Sequence, residues 1–326
     1  MIVIGDLHLT DKSLYRKAQG KLLQYLLENF DGEVLIFLGD IFNTSAPLWN
    51  TYSMFKEFLT NRKGYTHILS GNHDQSRFKG NALNGIHLMD NVTVYFCETE
   101  VVIDGVKCLM LPYQNNMEHY PEIKFNGDYV FCHFTNPEDQ FANEGIELLG
   151  VGNAKQIYGH THTSVEYPDK NKIVLGVPMV TRNGESNGHL LKISSKIANA
   201  SELKNKIIPV DENIEEVLKT YTSLEKIKIP IFFDIQDIEY GESIPNPDYL
   251  YNIKNAPSFD ALYDMYSIDY IRKEGITLRE YDIIDAEEEL LYTDDVESIG
   301  NRFIEFAKEV RVARDVKDTA MEYLSK

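Results

Sequence analysis

The stretch Val34-Leu35-Ile36-Phe37-Leu38-Gly39-Asp40-Ile41-Phe42-Asn43 decides how the chain is read. An unbroken apolar run that ends on glycine and a carboxylate is the pattern of a strand buried on both faces, presenting a polar side chain at its carboxyl end. The pattern recurs on either side. Ile2–Ile4 leads into Gly5-Asp6-Leu7-His8, and His67–Leu69 leads into Gly71-Asn72-His73-Asp74. Helical periodicity separates these runs. Leu14, Ala18, Leu22 and Leu26 recur every four residues, with Asp11 or Ser13 as the expected cap. Pro47 suits a helix start, with Leu48, Tyr52, Phe55 and Leu59 on one face. Apolar strands alternating with helices predict an α/β layered sheet, whose ligand sites lie beyond the carboxyl ends of its strands.

Outward from that core the text becomes strand-rich. Val92–Phe96, Val101–Ile103, Val106–Leu111, Tyr129–His133, Gln156–Tyr158, Ile173–Val177 and Leu190–Ile193 read as short strands, and Asp104-Gly105 as a hairpin turn. Beyond about residue 195 the character changes. Loop-like text with Pro230, Pro245, Pro247 and Pro257 gives way to a stretch from Asp282 to Glu297 with eight acidic and no basic residues. A last helix then carries Ile299, Phe303, Phe306 and Val310 along one stripe. The expected organisation is a main domain over 1–195, a smaller α+β appendage over 196–295, and a terminal helix over 296–326.

At 326 residues the chain exceeds what one core usually fills, in keeping with that division. No apolar window reaches the length of a membrane span, so no membrane association is expected. The opening Met1-Ile2-Val3-Ile4-Gly5-Asp6 has no basic leader, and Cys97, Cys108 and Cys132 form neither a disulfide framework nor a Cys-x-x-Cys site, so the cytoplasm is the expected compartment. The formal charge of −19 is uneven: 16 basic against 22 acidic residues in 1–195, and 16 against 29 beyond. So acidic a chain should not grip nucleic acid unaided, because phosphate contacts need clustered Lys and Arg.

Five clusters of Asp, Asn and His follow apolar runs: Asp6-x-His8, Asp40, Asn72-His73-Asp74, His133, and His160-x-His162. Any one has an ordinary explanation, since an Asp after a strand caps helices and a lone His is usually structural. Together they form a mixed oxygen and imidazole set without thiolate, suited to Mn, Fe or Zn. Asp6, His8, Asp40, Asn72, His133, His160 and His162 are too many ligands for one ion that keeps an open position. Shared through one carboxylate they suit two ions about 3.5–4 Å apart, the arrangement used in phosphoryl hydrolysis. His67, His87, His119 and His189 lack such neighbours and read as structural.

The ordered series G-D-x-H, G-D, G-N-H-D, a lone His and G-H-x-H, spanning about residues 2–193, resembles the calcineurin-like metallophosphoesterase superfamily. The resemblance implies the metallophosphoesterase fold, a layered β-sandwich flanked by helices, with the C-terminal appendage as a cap. It implies one metal on Asp6, His8, Asp40 and His162 and a second on Asp40, Asn72, His133 and His160, Asp40 bridging. It further implies a nucleophilic hydroxide activated by both ions, His73 stabilising the transition state or protonating the leaving oxygen, and Asp74 orienting the His73 ring.

Two stretches narrow the resemblance. Gly39-Asp40-Ile41-Phe42-Asn43…Ala46-Pro47 is similar to the second motif of SbcD-type double-strand-break repair and phage recombination nucleases. Gly176-Val177-Pro178…Gly184-Glu185…Gly188-His189-Leu190 is similar to the stretch that closes their catalytic domain. The implied activity is Mn²⁺-dependent hydrolysis of DNA ends, single- or double-stranded, with Mg²⁺, Fe²⁺ or Zn²⁺ as alternative metals. The implied setting is a complex with an SbcC-type ABC ATPase, in the host cytoplasm if the chain is phage-encoded. Such a partner would supply DNA affinity that an acidic chain lacks, and Ile299, Phe303, Phe306 and Val310 are the candidate docking stripe. The same stripe also suits packing onto the appendage itself. Homodimerisation would resemble the family too. Arg77 and Arg182 are candidate phosphate contacts. Asn43 stands where some members carry His and others Asp; it cannot titrate, which leaves the balance of exo- and endonuclease action open. A small-molecule phosphoesterase and a non-catalytic scaffold are the alternatives, although a scaffold would be expected to have lost ligands that are all present here.

Overall fold

The computed structural model describes residues 1–76, 80–138, 145–180, 185, 188–197, 220–243, 250–255 and 271–272. The chain divides into two compact units, Met1–Gln236 with Ile244–Leu250, and Asp237–Ser243 with Tyr251–Lys326.

The first unit is built on two six-stranded sheets. One contains β1 (Ile2–Ile4), β2 (Leu35–Phe37), β3 (Thr66–Leu69), β6 (Val92–Tyr95), β13 (His189–Ile197) and β14 (Thr220–Lys228), in the order β14-β13-β1-β2-β3-β6. The short β4 (Gln75–Ser76) and β5 (Gly80–Asn81) pair with each other beside it. The other contains β7 (Thr99–Ile103), β8 (Val106–Leu111), β9 (Tyr129–Cys132), β10 (Lys155–Tyr158), β11 (Val165–Tyr167) and β12 (Lys172–Val174), in the order β11-β12-β10-β9-β8-β7. Each sheet has a block of parallel strands, β1-β2-β3-β6 running to one edge of the first and β8-β9-β10-β12 at the centre of the second, and antiparallel strands complete both. All eight parallel strands therefore end in loops along their carboxyl edges.

Alternation along the strands sorts the side chains into three layers. Val3, Ile36, Leu38 and Leu69 of the first sheet meet Cys108, Met110, Phe131 and Ile157 of the second, forming the inter-sheet core. Ile2, Ile4, Leu35, Phe37 and Ile68 point the other way, against α1 (Ser13–Phe30) and α2 (Trp49–Asn61). Loops and a 3-10 turn, through Tyr120, Phe125, Leu148 and Val151, cover the outer face of the second sheet. The Asp104-Gly105 turn has positive φ at both residues (50° and 78°), the geometry that matches the twist of a two-residue hairpin.

Several local expectations are corrected. Neither Asp11 nor Ser13 caps α1: Lys12 holds the cap position without a side-chain bond, and the Asp11 carboxylate accepts from Leu48 N–H (3.1 Å) and the Thr51 hydroxyl at the head of α2. Leu48 is 61% exposed, because the buried face of α2 is Thr51, Phe55, Phe58 and Leu59. The boundary expected at residue 195 falls inside β13, whose nine-residue pairing with β14 carries the first unit onward to Gln236. The second unit, by itself, contributes to a three-stranded sheet of β15 (Ile235–Glu239), β16 (Leu250–Lys254) and β17 (Ile271–Arg272), with Tyr251 and Ile253 buried. The terminal helix expected over 296–326 lies outside the described residues.

Candidate metal centre

Loops after five parallel strands bring the site together: Asp6 and His8 after β1, Asp40 after β2, Asn72 and His73 after β3, His133 after β9, and His160 and His162 after β10. Short side chains can converge there only if the backbone turns sharply and neighbours leave room. His8, Asp40 and His160 adopt positive φ (45°, 45° and 70°), a left-handed conformation uncommon outside glycine and typical of functional sites. Gly39 and Gly71 supply the room: a Cβ on Gly39 would collide with the His133 ring, and one on Gly71 with the Asp40 carboxylate.

Asp6, His8 and His162 bring ligand atoms within 4.8 Å of one another, and so do Asp40, His133 and His160. Asp40 faces both ways: Oδ2 lies 3.7 Å from His8 Nε2, and Oδ1 lies 3.3 Å from His133 Nε2. Asn72 Oδ1 meets His133 Nε2 at 3.1 Å and His160 Nδ1 at 3.0 Å. His8, Asp40 and His73 make a third such group, with the His8 and His73 rings edge to face at 4.9 Å.

The donors fit divalent cations. His133 Nδ1 lies 2.7 Å from the Leu38 carbonyl, which can only accept, so Nδ1 carries a proton and Nε2 is the atom left to bind a cation once its own proton is displaced. Nε2 faces the oxygens Asn72 Oδ1 and Asp40 Oδ1, so a proton there bridges them and a cation can take its place. His162 is fixed likewise: Nδ1 lies 2.5 Å from Glu185 Oε1, leaving Nε2 directed at His8 Nε2, 2.9 Å away. Burial, then the neighbouring Asp40 charge, raises the Asp6 carboxyl to about 7. Burial also acts on Asp40, but the His133, His8 and His73 rings overcome it and hold that carboxyl well below its usual range. For His133 burial disfavours the charge, yet the Asp40 and Asp6 carboxylates outweigh it and raise the ring to about 9. Burial and His133 together lower His160 to about 4, leaving it neutral as a ligand must be. Crowded carboxylates beside imidazole rings are an electrostatic environment that divalent cations satisfy, displacing the protons held there.

Asp74 has a different place from the one expected. Its buried carboxylate accepts from the backbone N–H groups of Gly71 (2.9 Å), Phe42 (3.1 Å) and Ile41 (3.3 Å), and burial, then Asp40, raises it to about 7. It ties together the loops that carry Asp40 and His73, while the His73 ring is oriented by the Asn43 carbonyl, 2.9 Å from Nδ1. Asn43 thus enters through its backbone. Arg77, Arg182, Ile299, Phe303, Phe306 and Val310 lie outside the described residues. Sequence reasoning gives no role to Glu185 or to Gln19, whose buried amide donates to the His8 carbonyl (2.8 Å) and accepts from Thr10 N–H (3.0 Å). Glu185 stands in the stretch from Gly176 to Leu190, but nothing in its spacing points to His162.

A family model described as calcineurin-like phosphoesterase matches residues 1–164. No curated protein matches the chain. Among solved structures, a hypothetical protein from Thermus thermophilus is similar over 69% of this chain and 98% of its own, at 12% identity and a TM-score of 0.33. Among the described residues no helix is long and apolar enough to cross a membrane. The family match covers half of the chain and takes in every candidate ligand from Asp6 to His162, and the chain belongs to the calcineurin-like phosphoesterase family.

Proposed function

We propose that this metal-dependent phosphoester hydrolase is a Mn²⁺-dependent DNA nuclease, the nuclease subunit of an SbcC/SbcD-type recombination and repair complex. The observation that carries the reading is the double role of Gly39–Pro47. The stretch with the SbcD-type resemblance is also the one that supplies Asp40, whose two oxygens face His8 and His133, and the carbonyl that orients His73. Trp49, 73% exposed just beyond it, offers an aromatic face of the kind on which nucleobases stack.

Ions bound here supply Lewis-acid polarisation of the ester phosphate and acidify a water. The remaining work falls to the chain. Asp6, Asp40 and the four ligand histidines fix the geometry in a pocket where Asp6, Asp40 and His133 are almost wholly buried, so little bulk water competes. His73 gives Nδ1–H to Asn43 and so presents Nε2 as the atom that interacts with the ester. When protonated, Nε2–H donates to a phosphoryl oxygen or to the leaving oxygen.

A net charge of −19 favours a second reading, a small-molecule phosphoesterase such as a nucleotidase or cyclic-nucleotide phosphodiesterase. In the nuclease reading an SbcC-type partner supplies the missing DNA affinity, docking on the Ile299–Val310 stripe. The scaffold reading is disfavoured, because all seven candidate ligands and His73 occupy one site.

The test is hydrolysis of linear duplex DNA, single-stranded DNA and a small aryl phosphodiester in parallel, with Mn²⁺. DNA cleavage that EDTA stops and His73→Asn removes supports the nuclease. Turnover of the small ester, with DNA left intact even after an SbcC-type partner is added, overturns it in favour of the small-molecule reading.

A further inference from the structure

His133 and His73 each give Nδ1–H to a backbone carbonyl, Leu38 and Asn43, whereas His162 gives its proton to a carboxylate. The Glu185 side chain is 8% exposed and that of His162 15%, so the pair is poorly screened by water. Glu185 reaches the centre from the segment before β13, separate in sequence from every ligand.

We propose that Glu185 is a positioning residue for the cation held by Asp6, His8 and His162, and that it makes this position the tighter of the two. The inference rests on the metal-dependent phosphoesterase reading. A carboxylate on Nδ1 fixes the tautomer with its lone pair on Nε2, stops the ring from turning, and makes Nε2 a stronger donor to a metal. It also adds a charge on one side only. Asp6 lies 4.0 Å from a ring nitrogen of both His8 and His133 and Asp40 faces both clusters, so what differs is that the His8–His162 side has the Glu185 carboxylate in addition and the His133–His160 side the neutral Asn72. Outer partners of this kind contribute about 10- to 100-fold to metal affinity.

The test is calorimetric titration of the full-length metal-free chain with Mn²⁺, with no phosphoester present. If the unsubstituted chain binds no ions, the metal-centre reading fails whatever Glu185 does. If it binds two, Glu185→Ala is expected to weaken the tighter binding event about 10- to 100-fold and leave the other within about twofold, and weakening of the weaker event alone would overturn the proposal. Glu185→Gln, which can still accept from Nδ1 but carries no charge, should fall between, and Glu185→Asp should recover part of the loss. In His162→Ala the same event should weaken at least as much, and adding Glu185→Ala should weaken it no further. Unchanged affinities in Glu185→Ala would overturn the proposal. So would equal weakening of both events with a lower melting temperature of the metal-free chain, or an additive loss in the double variant.

Discussion

The two ends of the sandwich's parallel strands handle polar groups in opposite ways. At the amino ends Arg62 and Asp31 both have their partners. Arg62, 5% exposed, donates to the carbonyls of Phe30 (3.1 Å) and Glu33 (2.5 Å) and to Thr66 Oγ1 (3.3 Å). Asp31 takes Lys63 N–H at 2.9 Å and its ammonium at 2.8 Å. At the carboxyl ends three residues sit in left-handed backbone, two carboxyls are pushed to about 7, and imidazole rings crowd against carboxylate oxygens. Local preferences agree with the fold at one end and are overruled at the other, and such conflict marks where a protein gives up stability for chemistry.

Substitutions at the two ends should therefore separate activity from stability. Asp40→Ala removes the group shared by both clusters and is expected to lower turnover by at least about a thousandfold. Steady-state hydrolysis checks this, and near-normal rates would refute the two-ion arrangement. His73→Asn should cost about 10²- to 10³-fold in rate, as for loss of a transition-state donor, with both ions retained. Metal analysis of the purified variant decides the point, and ion loss in step with activity would make His73 a ligand, as its place beside His8 and Asp40 allows. At the amino ends the pattern should reverse. Arg62→Ala leaves two backbone carbonyls short of a buried donor and is expected to cost about 2–4 kcal/mol of stability, with the rate per folded molecule unchanged. Denaturant unfolding and active-site titration measure the two quantities separately.

The smallest effect concerns His67, buried against the Tyr95 hydroxyl at 2.7 Å. Burial, partly offset by Asp104, lowers its pKa from 6.5 to about 4. Below pH 6.5 the unfolded chain takes up this proton before the folded one, so stability falls with pH until about 4. The loss from this group is about 2 kcal/mol by about pH 5. His67→Gln should remove that share of the pH dependence in unfolding experiments between about pH 8 and pH 5. An unaltered slope would mean that other groups carry it.

The candidate centre is more legible in the sequence than the fold around it. Metal chemistry restricts residue type, and a ligand at a strand end must follow its apolar run directly, so Asp6, Asp40 and His133 announce themselves beside the runs they follow. The partners behind the ligands do not. Glu185 meets His162 across 23 positions, and Asn43 acts through a carbonyl that any residue carries. β14 does not read as a strand because that identity comes from nine pairings with β13, not from its own composition. Leu48 matches the apolar face of α2 by spacing, yet it stands at the cap, where a helical face has not yet begun.

The place of β1 governs when during synthesis the protein can become active. Ile2 pairs with Leu35 on one side and with Lys192 on the other, so this strand gains its second neighbour only late in translation. Asp6, Asp40 and His73 leave the ribosome long before His160 and His162 exist. A chain that ends before residue 160 thus carries part of a hydrolytic centre and no means of completing it. Such long-range closure is slow to form, but it ensures that the capacity to cut phosphoesters arrives only with a finished sandwich.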